Sequence, residues 1–258
     1  MGLRGNRLPG VRVSTWTRRG ALLLLLACGW AVVGRAQTTP ILILVSFDAW
    51  RWDYLDRVDA PNLKALAARG VRSEGLIPSY PSLTFPNHYT IVTGLRPDRH
   101  GIVSNTIVDR SIGAERFTMS SSTAKDPRWW GGEPIWTTAI KQGRKSAAMF
   151  WPGSEARHPT FWTPFDDNMP ARDRVAQVLA WLALPAAEAP AFLTLYFSDV
   201  DSAAHRGSPD SPEVAEAAAR VDRSLGELVA GIDRLGLTSR VTMVVVSPGL
   251  RDQVRDRL

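Results

Sequence analysis

Three features of this 258-residue sequence predict an α/β fold in which helices cover both faces of a mostly parallel sheet. Short apolar runs rich in β-branched residues alternate with helix-length amphipathic stretches. Those runs are nearly continuous in apolar character, as in strands buried on both faces. Glycines stand just past the ends of the amphipathic stretches, where a left-handed residue closes a helix. With 45% hydrophobic residues the chain can bury a sizeable core.

The elements follow in order. Residues 1–36 hold six arginines and no acid, then an apolar run from Ala21 to Val33, then Gly34-Arg35-Ala36. A positive start, a short apolar stretch and a small-x-small cleavage site are the layout of a secretory signal peptide. The run is too short for a comfortable membrane span, so no stable span is expected after cleavage. Two variants stay open, a twin-arginine signal at Arg18-Arg19 and a lipid anchor at Cys28. Cys28 is the single cysteine, so the mature chain has no disulfide or thiolate chemistry. The net charge of +6 sits in that leader, because the remainder carries 25 basic and 25 acidic residues. The basic pI therefore gives no reason to expect a nucleic-acid polymer as partner.

Ile41 to Phe47 is the first strand. Asn62 to Arg69 reads as a helix before Gly70, and Thr84 as the N-cap of a helix reaching about Val92 before Gly94, with Pro86 early in it. The segment from about Arg96 to Glu133 is an excursion beyond the sheet. A helix at Ile135 to Gln142 leads to a strand at Ser146 to Phe150. Next come a helix at Arg172 to Leu184, a strand at Ala191 to Phe197, a long helix at Pro212 to Leu235 and a strand at Val241 to Val246.

In such folds the chemistry gathers at the carboxyl ends of the strands. Asp48 follows the first strand, and Asp199 and Asp201 follow the strand ending at Phe197. Asp201 and His205, four residues apart, are placed to hold one divalent ion. A threonine at a helix start faces unpaired N–H groups and the positive end of the helix dipole, which suits a nucleophile and a phosphoryl oxygen. Read alone, Thr84 is an ordinary cap, Asp48 a cap or a ligand, and Asp201/His205 a common spacing.

Together these pieces resemble the nucleotide pyrophosphatase/phosphodiesterase family, of the alkaline-phosphatase-like superfamily. The resemblance rests on Ser46-Phe47-Asp48-Ala49-Trp50-Arg51-Trp52-Asp53-Tyr54, Pro81-Ser82-Leu83-Thr84-Phe85-Pro86-Asn87-His88-Tyr89, Thr93-Gly94, His100-Gly101-Ile102 and Asp201 to His205. It spans roughly residues 40–247. It implies an alkaline-phosphatase-like α/β/α sandwich and an exported, periplasmic or extracellular hydrolase of phosphodiester or pyrophosphate bonds. The expected substrate is a small-molecule phosphodiester or nucleotide. Two divalent ions, zinc by resemblance, would sit one on Asp48 and Thr84 and the other on Asp201 and His205, clamping an in-line displacement. Thr84 would form a phosphothreonine intermediate that water then releases. Asn105, read alone a turn asparagine, would by the resemblance donate to a non-bridging oxygen, assisted by the Thr84 N–H. Phe85 and Phe165 are read either as flanks of a nucleobase slot or as core.

Some residues depart from the family pattern. A sulfatase of this superfamily would carry Cys or Ser at the nucleophile and Arg where His88 stands, which argues against that chemistry. Ala49 and Ala204 stand where the family prefers glycine. After Val241 to Ser247 the family continues Asp-His-Gly-Met, whereas this sequence runs Pro248-Gly249-Leu250-Arg251 to Leu258. Residues 247–258 are read as a non-family tail from a frameshift or early stop, leaving the sheet and both metal sites incomplete. Two protein ligands per ion are fewer than zinc sites normally supply, so poor zinc binding and slow or absent turnover are expected. The rivals are a phosphomonoesterase of the same superfamily, a non-catalytic nucleotide-binding remnant, and a membrane-tethered scaffold using residues 21–33.

Overall fold

In a computed structural model of the chain, the residues described are Gly2 and 39–248. The leader, Cys28 and residues 249–258 lie outside them, so the expectations of export signal, lipid anchor and tail are carried by sequence alone. Pro40 onward forms one compact unit.

Five strands make one parallel sheet in the order β5-β4-β6-β1-β7. They are β1 (Ile41–Phe47), β4 (Ser146–Met149), β5 (Phe161–Thr163), β6 (Phe192–Phe197) and β7 (Val241–Val246). A two-stranded antiparallel pair, β2 (Thr106–Ile107) and β3 (Phe117–Thr118), lies in the predicted excursion. The helices are α1 (Tyr54–Arg57), α2 (Pro61–Ala68), α3 (Thr84–Thr93), α4 (Pro97–His100), α5 (Ile135–Lys141), α6 (Ala171–Leu182), α7 (Asp199–Arg206) and α8 (Pro212–Arg234).

β6 is buried along its whole length and β1 at all but Leu42, as the unbroken apolar runs predict for strands covered on both faces. Helices α2, α6 and α7 pack on the long α8, while α3 packs on α5. Parallel pairing of β1 with β6 places Phe47 opposite Phe197. The two chain segments carrying the candidate acids therefore leave the sheet at one level and on adjacent strands.

β5, the β2–β3 pair and the short helices α1 and α4 were not anticipated. A three-residue strand such as Phe161–Thr163 carries too little period-2 signal to be read from sequence. The predicted strand end at Phe150 also moves. Phe150 leaves β4 with φ 60°, a left-handed turn that takes it out of the ladder.

Candidate active site

Asp48 leaves β1 directly and is fully buried. Its Oδ1 accepts the Ala49 N–H at 3.1 Å and its Oδ2 accepts the Tyr196 hydroxyl at 2.8 Å. The Thr84 hydroxyl lies close enough to this carboxylate to favour its charged form. Burial outweighs these donors and pushes the Asp48 carboxyl up to about 6. Ala49 holds φ 61°, which explains the family's glycine, because a Cβ is disfavoured in the left-handed region.

Thr84 opens α3, but not as its cap. The N-cap is Leu83, no side chain of that residue caps the helix, and Thr84 is the first helical residue. Its hydroxyl is near enough to Asp48 to lower that carboxyl's pKa. Asn105 does the capping from across the chain: its Oδ1 accepts the Phe85 N–H at 3.0 Å. Anchoring that oxygen leaves the amide NH2 as the group Asn105 can offer a ligand. The Thr84 N–H, at the first helical position, has no carbonyl partner in its own helix.

Asp201 and His205 lie four residues apart on α7, with His205 Nε2 at 3.5 Å from Asp201 Oδ1. His205 is 80% exposed and Asp201 is 29% exposed at the side chain. Burial, followed by the charge of Asp48, pushes the Asp201 carboxyl up to about 6, while His205 and His88 oppose the rise. His205 in turn lowers Asp48. Asp48, Thr84, Asp201 and His205 thus form one electrostatic neighbourhood, although they come from β1, α3 and α7. Asp199, the other acid after β6, instead faces the buried Arg174 at 3.7 Å.

Two carboxylates both raised by burial, one of them further by the charge of the other, with an imidazole and a hydroxyl beside them, fit a divalent cation in donor type. In number they provide two donors for each of two ions. Among the described residues no group of three or more His, Cys, Asp or Glu is gathered to hold a metal.

The two aromatic candidates part company. Phe85 packs on Phe117 and Trp130, with centroids 6.1 and 5.7 Å away. Phe165 is 49% exposed and packs near Phe150 and Tyr196, at 5.3 and 6.3 Å. Its N–H donates to Glu155 at 3.0 Å. Phe85 belongs to an aromatic cluster on the excursion, and Phe165 stands near the Tyr196 ring that serves Asp48.

Sequence reasoning missed the inner supports. His88 is fully buried; burial pulls its pKa down to about 4 and keeps it neutral. His100, also buried, has its Nδ1 accepting the Ile102 N–H at 3.2 Å and its Nε2 at 3.0 Å from Thr90 Oγ1, while Gly131 N–H donates to its carbonyl. Gly101 follows at φ 85°, with the Trp129 carbonyl 3.2 Å from where a Cβ would stand, so the His-Gly-Ile signature is a tight turn leading toward Asn105. Tyr196 could have been singled out only by knowing the β1–β6 register, which sets it opposite Ser46.

The profile described as Type I phosphodiesterase / nucleotide pyrophosphatase matches residues 42–248. The chain belongs to this family. It is 42% identical over 224 residues to a venom phosphodiesterase of Crotalus durissus collilineatus, covering 84% of this chain and 27% of that protein. It is 39% identical over 220 residues to ectonucleotide pyrophosphatase/phosphodiesterase family member 3 of Rattus norvegicus, covering 83% and 25%. Against murine ectonucleotide pyrophosphatase/phosphodiesterase 5, solved as an inactive threonine-to-alanine variant in complex with AMP, the TM-score is 0.76 at 32% identity, covering 81% of this chain and 56% of that one. The chain thus spans about a quarter of the length of these curated relatives and a little over half of the solved neighbour. The α/β architecture of the chain is that of the solved neighbour over the matched region.

Proposed function

We propose that the chain carries the nucleophile half of a nucleotide-directed phosphodiesterase, with Thr84 as the attacking group. The carrying observation is the junction at the start of α3, where the Thr84 hydroxyl stands beside the buried Asp48 and the Asn105 Oδ1 is fixed at 3.0 Å on the next N–H. The neighbouring Asp48 carboxylate is the group that would take the hydroxyl proton as the oxygen attacks phosphorus. A new Thr84 Oγ–P bond replaces the bond to the leaving alcohol or phosphate, giving a phosphothreonine that water hydrolyses. The unpaired Thr84 N–H, the helix dipole and the Asn105 NH2 favour the negative charge that gathers on the phosphoryl oxygens. Phe85 and Phe165 are proposed to flank a nucleobase. The AMP complex and the inactive threonine variant of the murine neighbour support both the substrate class and the threonine.

Divalent cations, zinc above all, held by Asp48 with Thr84 and by Asp201 with His205 would neutralise phosphoryl charge and acidify a bound hydroxyl or water. Two protein donors per ion make a loose site, so the 258-residue polypeptide is proposed to turn over slowly or not at all. The names of the relatives, a venom enzyme and an ectoenzyme, support an extracytoplasmic location. Among the described residues no helix is long and apolar enough to cross a membrane.

The test compares bis-p-nitrophenyl phosphate with p-nitrophenyl phosphate in added Zn2+. A slow turnover that prefers the diester and is abolished in Thr84→Ala is expected. Preference for the monoester would move the reading to a phosphomonoesterase. Zn2+-independent nucleotide binding without hydrolysis would make the chain a binding remnant.

A further inference from the structure

We propose that His88 is a positioning residue: its buried imidazole joins β1 to the first peptide of α3 and so sets where Thr84 stands relative to Asp48. This rests on reading Thr84 and Asp48 as nucleophile and cation donor. The geometry leaves the ring little freedom. Nδ1 lies 2.7 Å from the Thr84 carbonyl oxygen, which can only accept, so Nδ1 carries the proton. In the neutral ring Nε2 is then an acceptor, and it meets the Ser46 hydroxyl at 2.8 Å. Ser46 is two residues before Asp48, and both are fully buried. One rigid ring therefore spans from the strand that delivers Asp48 to the residue that delivers the hydroxyl.

The surroundings hold the ring in that plane. Trp151 and Tyr196 present edges to it, each with centroids at 5.1 Å, and Trp151 Nε1–H donates to the His88 carbonyl at 3.1 Å. Tyr196 is at once the ring neighbour of His88, the β6 residue opposite Ser46 and the hydroxyl donor to Asp48. The segments that carry Thr84 and Asp48 are thus both referenced to the same imidazole. A histidine serving packing alone would not need hydrogen bonds at both nitrogens to the two elements that converge at the site.

The experiment uses the full chain with three variants, each touching one arm. Ser46→Ala removes the Nε2 partner, and His88→Asn keeps a donor near the Thr84 carbonyl while giving up Ser46. Ser46→Thr retains the hydroxyl as the conservative rescue. Far-UV circular dichroism and Tm report folding, and calorimetric titration with Zn2+ reports the site, with Asp48→Asn as its control. Folded Ser46→Ala and His88→Asn proteins are expected to bind Zn2+ about tenfold more weakly, with Ser46→Thr near wild type. In the Ser46→Ala/His88→Asn double variant the losses should be less than additive. A lowered Tm with unchanged Zn2+ affinity, while Asp48→Asn abolishes binding, would overturn the role of His88 alone. A wild-type titration that Asp48→Asn leaves unaltered would overturn the reading of the site and the inference with it.

Discussion

Ala49 carries a methyl group through a left-handed turn directly beside the candidate ligand Asp48. Such a conformation costs roughly 1–2 kcal/mol for an L-residue, offset in part by the extra unfolded-state entropy of glycine. Ala49→Gly is therefore expected to raise stability by about 0.5–1 kcal/mol, measured by urea titration with an unchanged m-value. A destabilised variant would show that the turn is not strained. Tyr196→Phe removes one donor from a buried carboxylate, leaves the ring packing in place, and is expected to cost about 1–3 kcal/mol. His100 gives a pH signature away from the candidate ligands. Its folded pKa, lowered to about 4 by burial, lies below the usual 6.5. Between those values the unfolded chain binds the extra proton, so His100 costs stability as pH falls from 6.5 toward 4 and costs nothing above. His100→Gln should lower the slope of unfolding free energy against pH in that window by up to about 1.4 kcal/mol per pH unit. An unaltered slope would mean that His100 takes up its proton in the folded state.

Helix α2 shows how one element borrows its ending from another. Its N-cap is Ala60, which has no side chain to cap with. Asp222, buried in the middle of α8, accepts the Leu63 N–H at 2.7 Å and the Asn62 N–H at 3.1 Å, and also the Asn62 amide at 2.8 Å. Asp222→Ala is expected to cost about 2–3 kcal/mol, with Asp222→Asn costing less, in thermal unfolding. A local helix signal is visible in sequence; a cap supplied from 160 residues away is not. The same contrast runs through the site. Long apolar strands and helices ending at glycine were legible because periodicity and stop signals are local. Asp48, Thr84, Asp201 and His205 were legible as strand-end and helix-start residues, and the structure brings them together. The cap at Thr84 was misread because the N-cap falls one residue earlier, at Leu83, and the capping oxygen comes from Asn105, in a distant segment. Tyr196 stayed hidden because it matters only through the pairing of β1 with β6, and Ser46 and His88 because they meet only where α3 packs against β1. Nothing in the spacing of Phe85 and Phe165 showed that they pack with different partners.

For the molecule as a whole, β7 is the exposed flank. Among the described residues it pairs only with β1 and is part-exposed along its length, with Val244 41% accessible. A groove of about 870 Å³ runs beside it, lined by residues such as Trp52, Leu55, Leu66, Leu76 and Val244. An apolar strand with a free edge invites pairing with other chains. The 258-residue polypeptide is expected to self-associate with rising concentration, and Val244→Lys to reduce this in light scattering without loss of the far-UV spectrum. Self-association equal in both would place the sticky surface elsewhere. The strand order carries one more consequence. β1 is the first sheet strand to leave the ribosome, yet Leu42 waits for Phe192 and Ile41 for Val241. Nascent chains therefore travel with β1 bare until β6 has been made. Handling of the newborn polypeptide, by a chaperone or by export before closure, becomes as decisive for yield as the stability of the finished sheet.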